Sequence, residues 1–385
     1  MKNVVFWKNP GYKGHPTLKK DISCDVLIVG GGVTGVSLAY FLAKAHKNVV
    51  LVERDTIASG ATGKAAGSVV LKGELDIKQI MDIYGEKKGR QYWSANHEGL
   101  ELLKHTITKE HIKCDYEPED TIYGSAYRRT DLAVFEEYAV EQEIEHATQL
   151  LRGKELKHEI NTNLFKYAIL SKHHGISVNP LACTQNLSVA AKRRGASIYE
   201  HTPMLTIKGN VAKTTSGTIT FKHIVMAIDT SIKSSAIRKI CSTILVTRPL
   251  TRRELVSIGM VPKKIVWDSK DIYHYFKLTK DNRILLGYGD KVVEKHHKGI
   301  KLHKPHFVRT VAFLKKLFPQ IKPRVEYAWT ASFGATANKL PYIKQTGHTT
   351  VVGGAASQVV CVMTARHIAD LLLHKKSKLD LFFSK

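Results

Sequence analysis

Three glycines, Gly30, Gly32 and Gly35, stand in the spacing GxGxxG directly after an apolar run, DVLIV at 25–29. There the first glycine permits a tight turn, the second lets the main chain approach a pyrophosphate, and the third lets a helix pack closely on a strand. The helix that follows aims unpaired N–H groups and the positive end of its dipole at the same spot, which suits a diphosphate. Val33 and Thr34 lie inside this turn and belong to the same binding set. Glu53 closes the next apolar run, NVVLVE. A carboxylate there accepts hydrogen bonds from a ribose diol and repels a 2′-phosphate. Turn and acid together specify a dinucleotide.

The elements needed to hold this turn are all legible. Strand, helix and strand fill the first 53 residues, with Val36, Ala39, Tyr40 and Ala43 on one helical face. A small-residue loop follows at Ser59–Gly67, SGATGKAAG. Residues 76–107 and 131–151 read as helices, the second carrying a stripe of Val140, Ile144, Ala147 and Leu151. A helix is expected over 181–194, then strands through Ile198, Met204, Ile207 and 219–228. Residues 243–290 alternate like antiparallel strands, turning at 280–282. The C-terminal stretch repeats the opening logic: strand 349–352, Gly353 and Gly354, then a helix from about 359 to 373. Both chain ends thus belong to one α/β domain, with a strand-rich middle inserted into it.

Three features favour FAD over a nicotinamide cofactor. The 59–67 loop gives main-chain access to the pyrophosphate soon after the acid. The strand at 225–228 closes over the dinucleotide. The Gly353–Gly354 turn feeds a helix whose N-terminus faces the flavin pyrimidine ring, where reduction places negative charge.

Composition narrows the class further. The 385 residues are 43% hydrophobic and 24% charged, a globular balance. Five scattered cysteines without a CxxC pair exclude a disulfide scaffold and a zinc module, and no metal is expected. The apolar run near the N-terminus is too short for a signal-peptide core, and no 18-residue apolar stretch lacks polar interruption. A cytoplasmic protein is expected, with peripheral contact at the inner membrane face as an extension. Net charge is +25. Residues 98–145 carry thirteen acids against five bases, whereas 291–325 carry ten bases and one acid, so the molecule has an acidic and a basic pole. The basic 291–324 segment fits a solvated face, an anionic membrane or RNA. The pairs His173–His174 and His296–His297 read as solvated basic loops, because adjacent side chains diverge and chelate poorly by themselves.

The ordered series ERDTIASGATGKAAG, GISVNPLACTQNL, KHIVMAIDT, YHYFKLTKDNRILLGYGD, YAWTASFGATANKLPYI and VVGGAASQVVCVMTARHIADLL runs almost end to end. With DVLIVGGGVTG it resembles the FAD-dependent amine and amino-acid oxidoreductases of the D-amino acid oxidase superfamily, among them glycine oxidase, sarcosine oxidase and gamma-glutamylputrescine oxidase. The resemblance implies an α/β fold, a Rossmann-like FAD-binding domain with an inserted antiparallel-sheet substrate domain. Residues 20–83, 151–235 and 325–385 would form the first domain, and 84–150 and 236–324 the second. Gly30, Gly32, Gly35, Glu53 and Arg54 would hold the ADP half, and Thr62, Gly63, Lys64 and Ala65 the pyrophosphate and flavin edge. Met204 would contact adenine and Ala227 would lie in the third cofactor strand. Gly354, Ala355, Ala356 and Ser357 would lie near the flavin pyrimidine.

The implied reaction is oxidation of a C–H bond beside an amine, with a hydride equivalent passing to flavin N5 and the imine then hydrolysed. The substrate would be a small amine or amino acid and the electron acceptor O2 or quinone. Tyr275, Lys277 and Trp329 are the candidate catalytic residues. Tyr273, Tyr275 and Lys277 alternate onto one face of a strand over the flavin, and Trp329 with Phe333 forms an aromatic wall. Phe333 stands where glycine oxidase has the arginine that binds the substrate carboxylate, which favours an amine or polyamine-like substrate, or a carboxylate bound elsewhere. Two other readings share the cofactor: a membrane-docked dehydrogenase passing electrons to quinone, and an RNA-binding or tRNA-modifying flavoprotein.

Overall fold

Strand Ile22–Val29 is apolar because it is central: it pairs in parallel with Val49–Val52 on one side and Thr218–Met226 on the other. A parallel strand covered on both faces must be hydrophobic throughout. The sheet continues in parallel through Ser197–Tyr199 at one edge and Thr349–Gly353 towards the other, where Tyr342–Thr346 adds an antiparallel edge. A hairpin, Met204–Lys208 with Val211–Thr214, joins Thr218–Met226. Helices Val33–Lys44, Pro180–Arg193 and Gln358–Leu372 pack together on this half. They share the largest core, in which Ile28, Val36, Leu38, Leu51 and Val359 are fully buried.

The computed structural model describes the chain apart from residues 74, 127–129, 146, 233, 271, 293–301 and 384–385. His296 and His297, and the centre of the basic pole, therefore lie outside the described residues.

Among the described residues a second sheet has nine strands and its own core. Its order is Val325–Thr336, Ile237–Pro249, Arg283–Val292, Tyr275–Leu278, Lys264–Asp268, Glu117–Gly124, Tyr167–Ser177 and Ser68–Val70, with Thr148–Arg152 also on Tyr167–Ser177. All its pairings are antiparallel save Lys264–Asp268 with Glu117–Gly124. Three of these strands, Ser68–Val70, Tyr167–Ser177 and Val325–Thr336, fall in ranges expected for the dinucleotide half. They hydrogen-bond into the second sheet instead, so the chain crosses between the halves more often than the ranges 20–83, 151–235 and 325–385 suggest.

Local corrections have local causes. The 76–107 stretch is two helices, Ile77–Tyr84 and Glu86–Lys109, broken where Gly85 takes φ 87°. The 131–151 stretch ends as a helix at Ile144, and Thr148–Arg152 turns back as a strand. Its supposed stripe is therefore split, with Leu151 in the second core and Val140 against the first. A short helix, Arg252–Ser257, interrupts the 243–290 strands behind a capping box of Thr251 and Glu254.

Candidate active site

The glycine turn is built for close approach. Gly30 has φ +113°, and a Cβ there would stand 2.3 Å from the Ala227 carbonyl oxygen. A Cβ on Gly35 would stand 2.0 Å from the Gly30 carbonyl oxygen. At Gly32 the nearest atom is Thr62 Oγ1 at 3.4 Å, so that side of the turn is open. Thr62 Oγ1 also accepts from Val33 N at 3.1 Å, and Glu53 Oε2 accepts from Gly31 N at 2.7 Å. Helix Val33–Lys44 starts with no side-chain cap and no acid in its first turn. Helix Gln358–Leu372 starts in the same way after Ser357. Two uncapped, positive helix ends open into one cavity of about 840 Å³.

That cavity runs from Glu53, Arg54 and Met204 past the glycine turn and Ala227 to Ala355, Ala356 and Ser357, then into the second sheet. Thr62, Lys64 and Ala65 line it. Gly35, Gly63 and Gly354 support its wall from behind. Gly63 lies where a Cβ would meet the Ala58 carbonyl oxygen at 2.3 Å. Asp229 ties the two halves together there, its carboxylate accepting from Gly354 N at 3.0 Å and Gly334 N at 2.9 Å. In the sequence Asp229 shows only as the residue that ends the apolar run 225–228.

Loop 64–67 is pinned from outside the cavity. Trp329 Nε1 donates to the Lys64 carbonyl at 2.8 Å, Trp7 Nε1 to the Ala65 carbonyl at 2.7 Å, and Lys277 Nζ to the Gly67 carbonyl at 2.7 Å. In a trans peptide the C=O and the following N–H point opposite ways. Drawing the Ala65 carbonyl outward therefore turns the Ala66 N–H towards the cavity. Two of the three catalytic candidates thus hold the loop rather than face the cavity. Trp329 is buried behind Lys64, and Lys277 is buried behind Gly67. Only Tyr275, of the three, lines the cavity, with its hydroxyl 3.2 Å from Ser242 Oγ. Its ring lies over Gly287, where a Cβ would come within 2.1 Å of it. Phe333 also lines the cavity, so the aromatic wall expected of Trp329 and Phe333 is presented by Phe333 alone of that pair. Lys277 faces the buried Glu119. Burial lowers the lysine and raises the glutamate, and each charge partly offsets the shift of the other.

The far wall holds a cluster that no motif announced. Lys72, buried, places Nζ 2.8 Å from Glu137 Oε1, 2.7 Å from Glu141 Oε1 and 3.7 Å from Asp76 Oδ1. It also sits 4.5 Å from the centroid of the Tyr123 ring, which stacks on Trp267. Burial opposes its charge, but the three carboxylates outweigh that and hold its pKa well above the ordinary lysine value. Asp76 is pushed up to about 6, chiefly by burial, against the attraction of Lys72. Lys72, Asp76, Gln79, Tyr123 and Trp267 line the cavity, while Glu137 and Glu141 stand behind. The acidic 98–145 stretch was the one signal for this cluster, and it gave no partner for its glutamates.

The family model described as FAD dependent oxidoreductase matches residues 25–371. The chain belongs to this family. It is an FAD-dependent oxidoreductase, and the glycine cradle, Glu53 and the two uncapped helix ends fit that cofactor. The chain is 29% identical to gamma-glutamylputrescine oxidoreductase of Escherichia coli (strain K12), over 96% of this chain and 88% of that protein. It is 26% identical to glycine oxidase of Bacillus subtilis (strain 168), over 53% of each. In structure it is similar to glycine oxidase from Geobacillus kaustophilus, with a TM-score of 0.78 and 20% identity over 92% of this chain and 96% of that one. The same fold recurs in L-amino acid deaminase from Proteus myxofaciens, with a TM-score of 0.76 and 15% identity over 98% and 95% of the two chains. Among the described residues no helix is long and apolar enough to cross a membrane.

Cys361 lines the cavity beside the second helix end, but burial pushes its thiol up to about 12 and its Sγ donates to the Ala355 carbonyl. It is protonated at neutral pH and is a poor nucleophile.

Proposed function

We propose that this oxidoreductase acts on the C–H bond beside the nitrogen of a small amine whose body carries no carboxylate at the Phe333 position. When bound, FAD supplies the two-electron acceptor for that bond. One observation carries the reading: the cavity joins the dinucleotide cradle to a wall where three carboxylates, of Asp76, Glu137 and Glu141, meet a single buried ammonium, Lys72. The excess of negative charge favours a cationic ligand over an anionic one. Phe333 and Tyr275 offer apolar contact to the carbon chain, and their rings exclude water around it. Residues Gly30–Gly35, Glu53, Arg54 and Thr62–Ala65 hold the dinucleotide end, with Met204 and Ala227 beside it. Gly354–Ser357 hold the flavin end. Loop 64–67, pinned by Trp7, Trp329 and Lys277, sets the depth at which the substrate meets the cofactor.

The test is anaerobic mixing of the FAD-loaded protein with primary amines, secondary amines, diamines, glycine, sarcosine and D- and L-amino acids, following loss of flavin absorbance. Amines and diamines bleach the flavin fastest. Faster bleaching by glycine or another small amino acid contradicts the substrate class, and no bleaching by any compound contradicts amine oxidation. Readmitting air or a soluble quinone then shows which acceptor restores the colour.

A further inference from the structure

Outside the cavity, three side chains from three elements converge. His97 lies on helix Glu86–Lys109, Glu145 directly follows helix Asp131–Ile144, and His174 lies on strand Tyr167–Ser177. The reading of His173–His174 as a solvated loop is corrected here: His174 is buried on a strand. The donor atoms of the three residues all lie within 4.8 Å of one another. His97 Nε2 is 2.7 Å from Glu145 Oε2, and His174 Nε2 is 2.7 Å from Glu145 Oε1. The first contact is a hydrogen bond. The second is an equally short ion-pair contact on the other carboxylate oxygen. Trp93 stands edge-on to both imidazoles at 6.1 Å and walls the group from the core. Side-chain exposure runs from 38% at His97 through 19% at Glu145 to 7% at His174, so the group opens to solvent on one side.

Two imidazole nitrogens and a carboxylate gathered this closely from three elements are also the donor set of a first-row divalent cation such as zinc. Donors held about 2.0–2.2 Å from one tetrahedral ion stand about 3.3–3.6 Å apart, so each 2.7 Å contact needs to open by under about 1 Å. We propose that His97, Glu145 and His174 form a binding site for a zinc-class divalent cation, with water completing its coordination from the open side. The site is structural. It ties helix Glu86–Lys109 to strand Tyr167–Ser177 and to the end of the helix that presents Glu137 and Glu141 to Lys72. The His174 carbonyl accepts from Leu71 N at 2.9 Å, so the main chain of the site adjoins that of the cavity wall.

The test uses the untagged, FAD-loaded chain, stripped with a chelator and dialysed. Zinc is then titrated by calorimetry and counted by elemental analysis, and cobalt is added to read the coordination spectrum. The expected result is one zinc per chain, a cobalt band typical of tetrahedral nitrogen and oxygen ligands, and a higher unfolding temperature with zinc. His97→Ala and Glu145→Gln each bind zinc at least about tenfold more weakly and lose the thermal gain, while retaining FAD as evidence that they fold. Wild-type protein that takes up less than one equivalent overturns the site. So do variants that bind zinc as tightly as wild type, since the ion is then held elsewhere.

Discussion

The two ends of the cavity are built from different materials. The cradle end is made largely of main chain: Gly30, Gly32 and Gly35, with Gly30 packed against the Ala227 carbonyl, and two helix ends whose N-cap residues make no side-chain cap. The far wall is made of side chains, Lys72, Asp76, Glu137, Glu141, Tyr123 and Trp267, brought from one loop, one helix and two strands. Main chain binds what all members of a cofactor class share, a diphosphate and a ring edge. Side chains bind what differs between substrates. A protein assembled this way keeps its cofactor while its far wall changes.

The largest effect expected on this contrast comes from Lys72→Met. Removing the ammonium leaves Glu137 and Glu141 buried without a counter-charge, a loss of about 3–5 kcal/mol. Denaturant unfolding measures it. A loss below about 1 kcal/mol means the carboxylates are not buried as described. Gly30→Ala comes next. It forces a side chain into φ +113° against the Ala227 carbonyl, at a cost of about 1–3 kcal/mol. Relief of the clash moves the turn away from Ala227 and out of its cradle shape, so FAD binds roughly 10- to 100-fold more weakly, as flavin fluorescence titration reads out. Unchanged affinity removes the cradle from the account.

Asp76 gives a pH signature on the far wall. Its carboxyl is raised from 3.8 unfolded to about 6 folded, chiefly by burial. Between those values the folded state binds the extra proton, so this group's contribution to stability falls as pH rises from about 4 through 6. Asp76→Asn keeps the helix cap and removes that slope. Denaturant unfolding therefore shows the variant gaining up to about 3 kcal/mol on wild type above pH 6 and little near pH 4. A constant difference at all pH values breaks this reading. The smallest effect is at the boundary between the two regions. Trp329→Phe frees the Lys64 carbonyl, costing about 1 kcal/mol and weakening FAD about fivefold, with little change in saturation by substrate.

The same division governs what the sequence discloses. GxGxxG is legible because each glycine answers a constraint set within a few residues, as at Gly30 and Gly35. The helices 33–44, 180–193 and 358–372 and the parallel strands are legible because burial repeats at fixed periods. Lys72 gave no signal, since its partners lie about 65 and 69 residues away on a helix whose period shows only acid. Lys277 falls on an expected strand and Trp329 on one that was not expected, Val325–Thr336, and both side chains end on carbonyls of loop 64–67. Alternation gives the face of a strand, not what covers that face. His174 was misplaced for a related reason: one neighbour in sequence suggested a loop, and two neighbours in space make a site.

The central claim is that one cavity takes FAD whole, diphosphate at the glycine turn and flavin against the 354–357 segment. Titrating cofactor-free protein with FAD, FMN and NAD by calorimetry tests it most directly. The account predicts one equivalent of FAD retained through gel filtration, FMN binding far more weakly and NAD not competing. A folded protein that takes FMN as tightly as FAD, or binds no flavin at all, would contradict it.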